Sequence, residues 1–236
     1  MFGQRIVLKR GAKDQAEKPF WISYADMMTA LMVLFLVVMA VALLSIPKQV
    51  LQEKDLRAKH EQAITNFMEK LKVRAEKFPG VTVDVKHRLV NYGPRAYFAL
   101  NSAKLNASQE AAVRAFTPVI LNAADTSLGR QLLKRVLVEG YTDRTGTYLH
   151  NLNLSLQRSE GVLCALMRSD VPIALTSAQQ REVLGLFVVG GYSFNDIQSS
   201  PEASRRVEMQ LQFFGYGEKP ERRDVAVAPD IGRCEV

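Results

Sequence analysis

The chain has 236 residues, 47% hydrophobic and 23% charged, with a formal charge of +7; this is enough apolar content for a packed core and too much for a disordered protein. Its Lys and Arg are spread along the sequence without a dense block or interleaved aromatics, which argues against direct nucleic-acid binding. Cys164 and Cys234 fit no metal-ligand spacing, and His60, His87 and His150 lie far apart, so neither a metal site nor a cofactor is expected.

The first eighteen residues carry five basic side chains (Arg5, Lys9, Arg10, Lys13, Lys18) against two acids (Asp14, Glu17). By the positive-inside rule this 1–18 tail is expected to be cytoplasmic. Residues 48–77 are also net basic, with eight Lys or Arg against five acids, so charge alone does not fix the orientation. The 19–46 segment reads as a transmembrane helix: Met27 to Ile46 is twenty residues without a charge, and the apolar stretch reaches back to Phe20. It ends at Pro47 and runs into a charged stretch, not into the small residues of a signal-peptide cleavage site, which makes it a retained anchor.

Asp26 is the one charged side chain in that stretch. Eight residues beyond Lys18 it lies about 12 Å along the helix, inside an apolar layer ~30 Å thick and nearer the cytoplasmic side. A charged carboxylate there costs on the order of 2.5–3.5 kcal/mol, so it must face protein or a wet cavity, or hold a proton. Either state suits a proton carrier; the alternative is a carboxylate near the headgroups or bonded to a neighbouring helix for assembly. Thr29, Ala30 and Val33 share its helical face. One span encloses no channel, so any ion path needs further helices, from a second copy, a polytopic partner or both.

The segment W-I-S-Y-A-D-M-M-T-A-L-M-V-L-F-L-V-V-M, Trp21 to Met39, resembles the membrane helix of MotB-type stator subunits. The resemblance implies that Asp26 carries the proton, with Thr29 a second candidate. It also implies a homodimer inside a ring of a polytopic MotA-like partner.

Residues 47–78 read as a periplasmic linker helix, with Ile64, Phe67, Met68 and Leu71 at helical spacing. By the stator resemblance, residues near 47 to 60 are candidates for a plug that limits leakage. Pro79-Gly80 marks a turn into the outer domain, 79–236. Strands are expected over 81–85 and from Leu89 towards Leu100, the second interrupted at Gly93-Pro94; a helix follows over Asn106 to Leu121 and a buried strand over Val136 to Tyr141. A helix over Asn153 to Met167, a strand over Gly185 to Gly190 and a last strand over Arg206 to Phe214 complete the pattern. Residues 169–184 and the tail after Phe214 receive no role. Alternating strands and helices give the fold class: α/β, one sheet with helices packed on it, after an N-terminal transmembrane helix and amphipathic linker.

Tyr141 to Val162, Y-T-D-R-T-G-T-Y-L-H-N-L-N-L-S-L-Q-R-S-E-G-V, resembles the OmpA-like peptidoglycan-binding domain, whose pattern Thr142, Asp143, Gly146, Asn151, Leu154, Ser155 and Arg158 match without a gap. Phe98 to Leu105 and Arg205 to Glu208 resemble its flanking elements, and the sandwich is therefore expected to be OmpA/MotB-like. The chemistry is consistent: a carboxylate after a strand and a guanidinium on the next helix suit the amine and carboxylate of a zwitterion such as diaminopimelate. The resemblance assigns the amine to Asp143 and the carboxylate to Arg158, with Asn151 and Leu154 shaping the pocket and His150 where an aromatic is usual. The alternative is that Asp143 and Arg158 pair with each other or with helix ends. Cys164 and Cys234 form either a disulfide that ties down the tail or a buried and a free thiol.

Two function classes remain, a wall-anchored ion-driven stator of the inner membrane and a passive peptidoglycan tether; no arranged nucleophile or metal cluster points to an enzyme. Within the stators, P-F-W-I-S-Y-A-D, F-L-V-V-M-A and the segment before the last strands look closer to the anti-phage defence stators of Zorya systems than to flagellar MotB. That resemblance implies a ZorA-type polytopic partner; a flagellar MotB stator subunit is the alternative.

Overall fold

The computed structural model describes residues 18–221 and Cys234. Contacts divide the chain into two units, residues 1–56 and 57–236, and helix α1 (Lys18–Ala75) contributes to both. In the first unit, Trp21–Leu44 is a 24-residue stretch of mean hydropathy 2.8, long and apolar enough to cross a membrane, with its side chains exposed. The helix continues through Pro47, where the sequence reading ended the membrane segment. A proline removes one intrahelical hydrogen bond, but strong turns on either side can carry a helix past it.

The second unit begins inside the same helix. Ile64, Phe67, Met68, Leu71 and Ala75 form a stripe with no more than 5% exposure, and all belong to the main core. The stretch expected to be a linker is thus, from Arg57 onward, part of the folded domain. Phe67 meets Phe213 edge-on at 5.6 Å, the His60 ring bonds the Phe214 carbonyl at 2.9 Å, and Arg88 reaches Glu61 at 2.7 Å.

Five strands follow: β1 (Thr82–Asp84), β2 (Leu89–Asn91), β3 (Leu133–Gly140), β4 (Phe187–Gly191) and β5 (Val207–Phe213). They form one sheet in the order β1-β2-β5-β3-β4, antiparallel except for β3 against β4. That parallel pair requires a long crossover, supplied by α4 (Tyr148–Met167) and α5 (Ser177–Leu186). Strand alternation sets the two faces. Val90, Val136, Val138, Met209 and Leu211 point into the core with α2 (Ala107–Asp125), where Phe116 and Ile120 are fully buried. Glu139 and Glu208 stand opposite each other in register, as do Leu137 and Gln210.

Several sequence expectations shift. The second strand stops at Asn91 and gives way to a 3-10 turn over Gly93–Ala96, because Gly93 takes φ +55° and Pro94 offers no amide to a ladder. The strand expected from Gly185 starts at Phe187, since α5 occupies Ser177–Leu186. α5 lies largely in the stretch that received no role, and it opens with a capping box of Thr176 and Gln179. The short helices α3 (Ser127–Leu132) and α6 (Pro201–Ser204) complete the described elements.

Gly140 ends β3 where α4 crosses it, and a methyl group there would collide with the Ser155 carbonyl. The helix carrying the motif can therefore lie directly on the sheet. Cys164 on α4 is joined to Cys234 by a disulfide across 70 residues of sequence.

Candidate functional site

The motif residues converge where β3 hands over to α4. The loop after β3 carries Thr142 and Asp143, Thr147 caps α4 by accepting from the His150 amide, and the first turns of α4 present His150, Asn151, Leu154 and Arg158. Gly146 takes φ +99°, a backbone region that favours glycine, so the loop turns back and Asn151 Nδ2 donates to the Thr145 carbonyl at 2.9 Å. A cleft of about 270 Å³ opens there, lined chiefly by Asp143, Asn151, Leu154, Arg158, Arg205 and Leu100, with His150 and Thr142 also on its wall.

Asp143 and Arg158 do not bond each other. Asp143 Oδ2 accepts from Arg205 Nη1 at 2.8 Å, and Oδ1 accepts from the Thr145 amide at 2.9 Å. Burial pushes the Asp143 carboxyl up, but the hydrogen bonds from Arg205 and Thr145 outweigh it and hold the group below its ordinary value. It is ionised at neutral pH.

Arg158 is fully buried and spans three backbone carbonyls: Nη1 to Tyr141 at 2.6 Å, Nε to Ser102 at 2.9 Å and Nη2 to Ala99 at 3.3 Å. Its guanidinium also lies over the Phe98 ring, 5.0 Å from the centroid. Burial and the nearby Arg205 charge pull its pKa down to about 10, which leaves it charged at neutral pH. A guanidinium has five N–H donors. Three of them meet carbonyls among the described residues, and the side chain lines the cleft.

Arg205 is the residue the sequence reading did not single out. Its Nε donates to the Phe98 carbonyl at 3.0 Å and its Nη2 reaches Glu202 at 3.4 Å, so that it sits in the cleft wall with Asp143. The R-R-V-E resemblance at Arg205 to Glu208 was its only sequence signal. Thr142, 1% exposed, lines the same cleft, and among the described residues its hydroxyl has no hydrogen-bond partner. His150 is exposed at the rim, with Nε2 2.8 Å from Asn101 Oδ1. Together the cleft offers one carboxylate, two guanidinium groups, the Thr142 hydroxyl and the apolar Leu154, a set that can hold a small zwitterion by both charges.

The adjacent Arg206 supports this arrangement from behind. It is 2% exposed, donates to Glu208 at 2.8 Å and Asp196 at 2.6 Å, and stacks on the Tyr141 ring at 4.3 Å. Tyr141 in turn donates to Glu139 at 2.8 Å.

In the membrane-length unit, Asp26, Thr29, Ala30, Val33, Leu34 and Val37 line one face of α1. The Thr29 hydroxyl donates to the Asp26 backbone carbonyl at 2.9 Å, so its proton is directed to the helix and not to the carboxylate. Among the described residues no group of His, Cys, Asp and Glu is arranged to hold a metal ion.

Comparison with known proteins divides the chain in the same way. Residues 8–53 match the family model described as the membrane MotB of the proton-channel complex MotA/MotB, and residues 97–184 match the OmpA family. Zorya protein ZorB of Escherichia coli O139:H28 (strain E24377A / ETEC) is 40% identical over 239 residues, covering 100% of this chain and 97% of that protein. Among solved structures, the OmpA-like domain of FopA1 from Francisella tularensis subsp. tularensis SCHU S4 is 20% identical over 56% of this chain and 80% of its own, with a TM-score of 0.36. The periplasmic domain of Helicobacter pylori MotB is 16% identical over 59% and 83%, with a TM-score of 0.40.

Proposed function

We propose, on the premise that this chain belongs to the ZorB family, that it is the wall-anchored subunit of a proton-driven inner-membrane motor acting in anti-phage defence. The observation that carries this reading is the combination within one chain of a lone carboxylate in a membrane-length apolar helix and a zwitterion-sized cleft in an OmpA-type domain. A passive tether needs the second but has no use for the first. A carboxylate at that depth is expensive unless it exchanges protons or faces a partner, and the stator reading assigns Asp26 the first role, that of proton carrier. Thr29 shares that helix face and is the second candidate for the path. Two copies, surrounded by a polytopic ZorA- or MotA-type subunit, supply the further helices that an ion path requires.

In the outer domain, Asp143 takes the amine of the diaminopimelate in a peptide stem and Arg158 its carboxylate. Asn151 and Leu154 shape the pocket, His150 touches its rim, and Arg205 keeps Asp143 ionised. The role of the domain is binding and not catalysis. The disulfide between Cys164 and Cys234 belongs to an oxidising compartment, and the basic 1–18 tail to the cytoplasm, which together favour a periplasmic outer domain. Residues 47–60 of α1 are the stretch proposed as a plug.

The wall-binding part is tested by sedimenting the full-length protein with purified sacculi. Wild type should pellet, and Asp143→Asn should stay in the supernatant with an unchanged circular dichroism spectrum. Equal pelleting of both would remove the cleft from the account.

A further inference from the structure

A stem peptide in the cell wall is never free, because one end is joined covalently to a sugar ring. A cleft of about 270 Å³ that holds part of the stem leaves the sugar outside it. Between Gly146 and His150 of the cleft wall, the chain carries Tyr148, one half of an aromatic pair that does not itself line the cleft. Tyr148, the first residue of α4, is 44% exposed and stands edge-on to Phe194, with ring centroids 5.4 Å apart and planes at 87°.

The seat of this pair is built. Ser193, fully buried, takes φ +54°, a left-handed conformation that non-glycine residues avoid unless their surroundings impose it. Three bonds impose it here. Its amide donates to Ser155 Oγ at 3.0 Å, its carbonyl accepts from the Thr142 amide at 2.8 Å, and its hydroxyl donates to the Tyr148 carbonyl at 3.1 Å. Asn195 Nδ2 donates to the Tyr148 hydroxyl at 3.2 Å. Tyr148 and Phe194 are thus fixed to the residue before Asp143 and to the helical turn that carries His150 and Asn151. Leu149, 74% exposed, adds apolar surface beside Tyr148, and Leu100, 59% exposed, lines the cleft itself.

We propose that Tyr148 and Phe194 form a sugar-stacking platform that carries the glycan strand of peptidoglycan while the adjacent cleft holds the peptide stem. The proposal rests on the wall-binding reading above. Sugar rings present faces of C–H bonds with partial positive charge, which pack on the negative face of an aromatic ring, and rigid aromatics lose little entropy in doing so. The N-acetyl methyl groups of the same strand suit the exposed leucine. A mixed surface of this kind, continuous with a polar cleft, matches a ligand that is a zwitterionic peptide at one end and an amphipathic polysaccharide at the other.

The test measures affinities of the full-length chain in detergent for two ligands, a disaccharide-tetrapeptide from peptidoglycan and the same diaminopimelate-containing tetrapeptide without sugar. Wild type should bind the glycan-bearing ligand more tightly. Tyr148→Leu should weaken that ligand roughly three- to tenfold, the range of one lost aromatic contact, and leave the free tetrapeptide unchanged. Tyr148→Phe, which keeps the ring, should bind both as wild type does, and Phe194→Leu should repeat the Tyr148→Leu pattern if that variant unfolds. Asp143→Asn should lose both ligands, which reports on the stem-binding reading separately. Equal loss of both ligands in Tyr148→Leu, or no loss of either, would overturn the platform. Wild type binding neither ligand would overturn the wall-binding reading and the platform with it.

Discussion

Arg158 illustrates how a motif position can serve fold and ligand together. Its guanidinium joins three carbonyls from the segment before α2 and the end of β3, so the wall of the cleft depends on it even without a ligand. Arg158→Lys leaves at least one buried carbonyl unsatisfied and should cost about 1–3 kcal/mol, read as a lower thermal midpoint together with lost wall binding. Asp143 behaves differently. Its pKa is depressed in the folded protein, so the stability it contributes is present above the ordinary carboxyl pKa of ~3.9 and is lost as pH falls through the lower folded value. The stability gap between wild type and Asp143→Asn should therefore be constant from neutral pH to about pH 4 and close only in stronger acid, as followed by thermal unfolding. The motif resemblance grouped Asp143, Asn151, Leu154 and Arg158, and the four line one cleft because they lie on one loop and one helix. It did not assign Arg205 to the cleft, which depends on the packing of a residue 62 positions away against Asp143.

At the scale of elements, the clearest departure from the sequence pattern is the end of α1. The apolar positions from Ile64 to Leu71 were legible as a helical stripe, but periodicity does not say what a stripe packs against. Here it closes the core of the outer domain, with Met68 fully buried. A fragment starting at residue 79 should consequently fail to melt cooperatively, whereas one starting at residue 57 should do so. Met68→Ala in the longer fragment should cost about 2–5 kcal/mol, measured by denaturant unfolding. The helix starting near Asn106 and the last strand over Arg206 to Phe214 were readable because local chemistry decides them. α5 was missed although Thr176 and Gln179 spell a capping box, because its residues carry a weak apolar pattern and only Val183 and Leu186 are buried.

For the whole molecule, the proposed function gives each unit its part: the carboxylate in the apolar helix exchanges protons with a pathway built by other subunits, and the wall-binding domain holds the chain still while something else moves. The family relation covers the full length, so both halves are shared with that relative. The most direct test is to coexpress the chain with its polytopic partner in cells and measure proton flux and protection from phage for wild type and Asp26→Asn, with membrane level and assembly confirmed equal. The account predicts that Asp26→Asn assembles normally, conducts no protons and gives no protection. Unchanged proton flux and protection in that variant would contradict it and leave a passive tether to the wall.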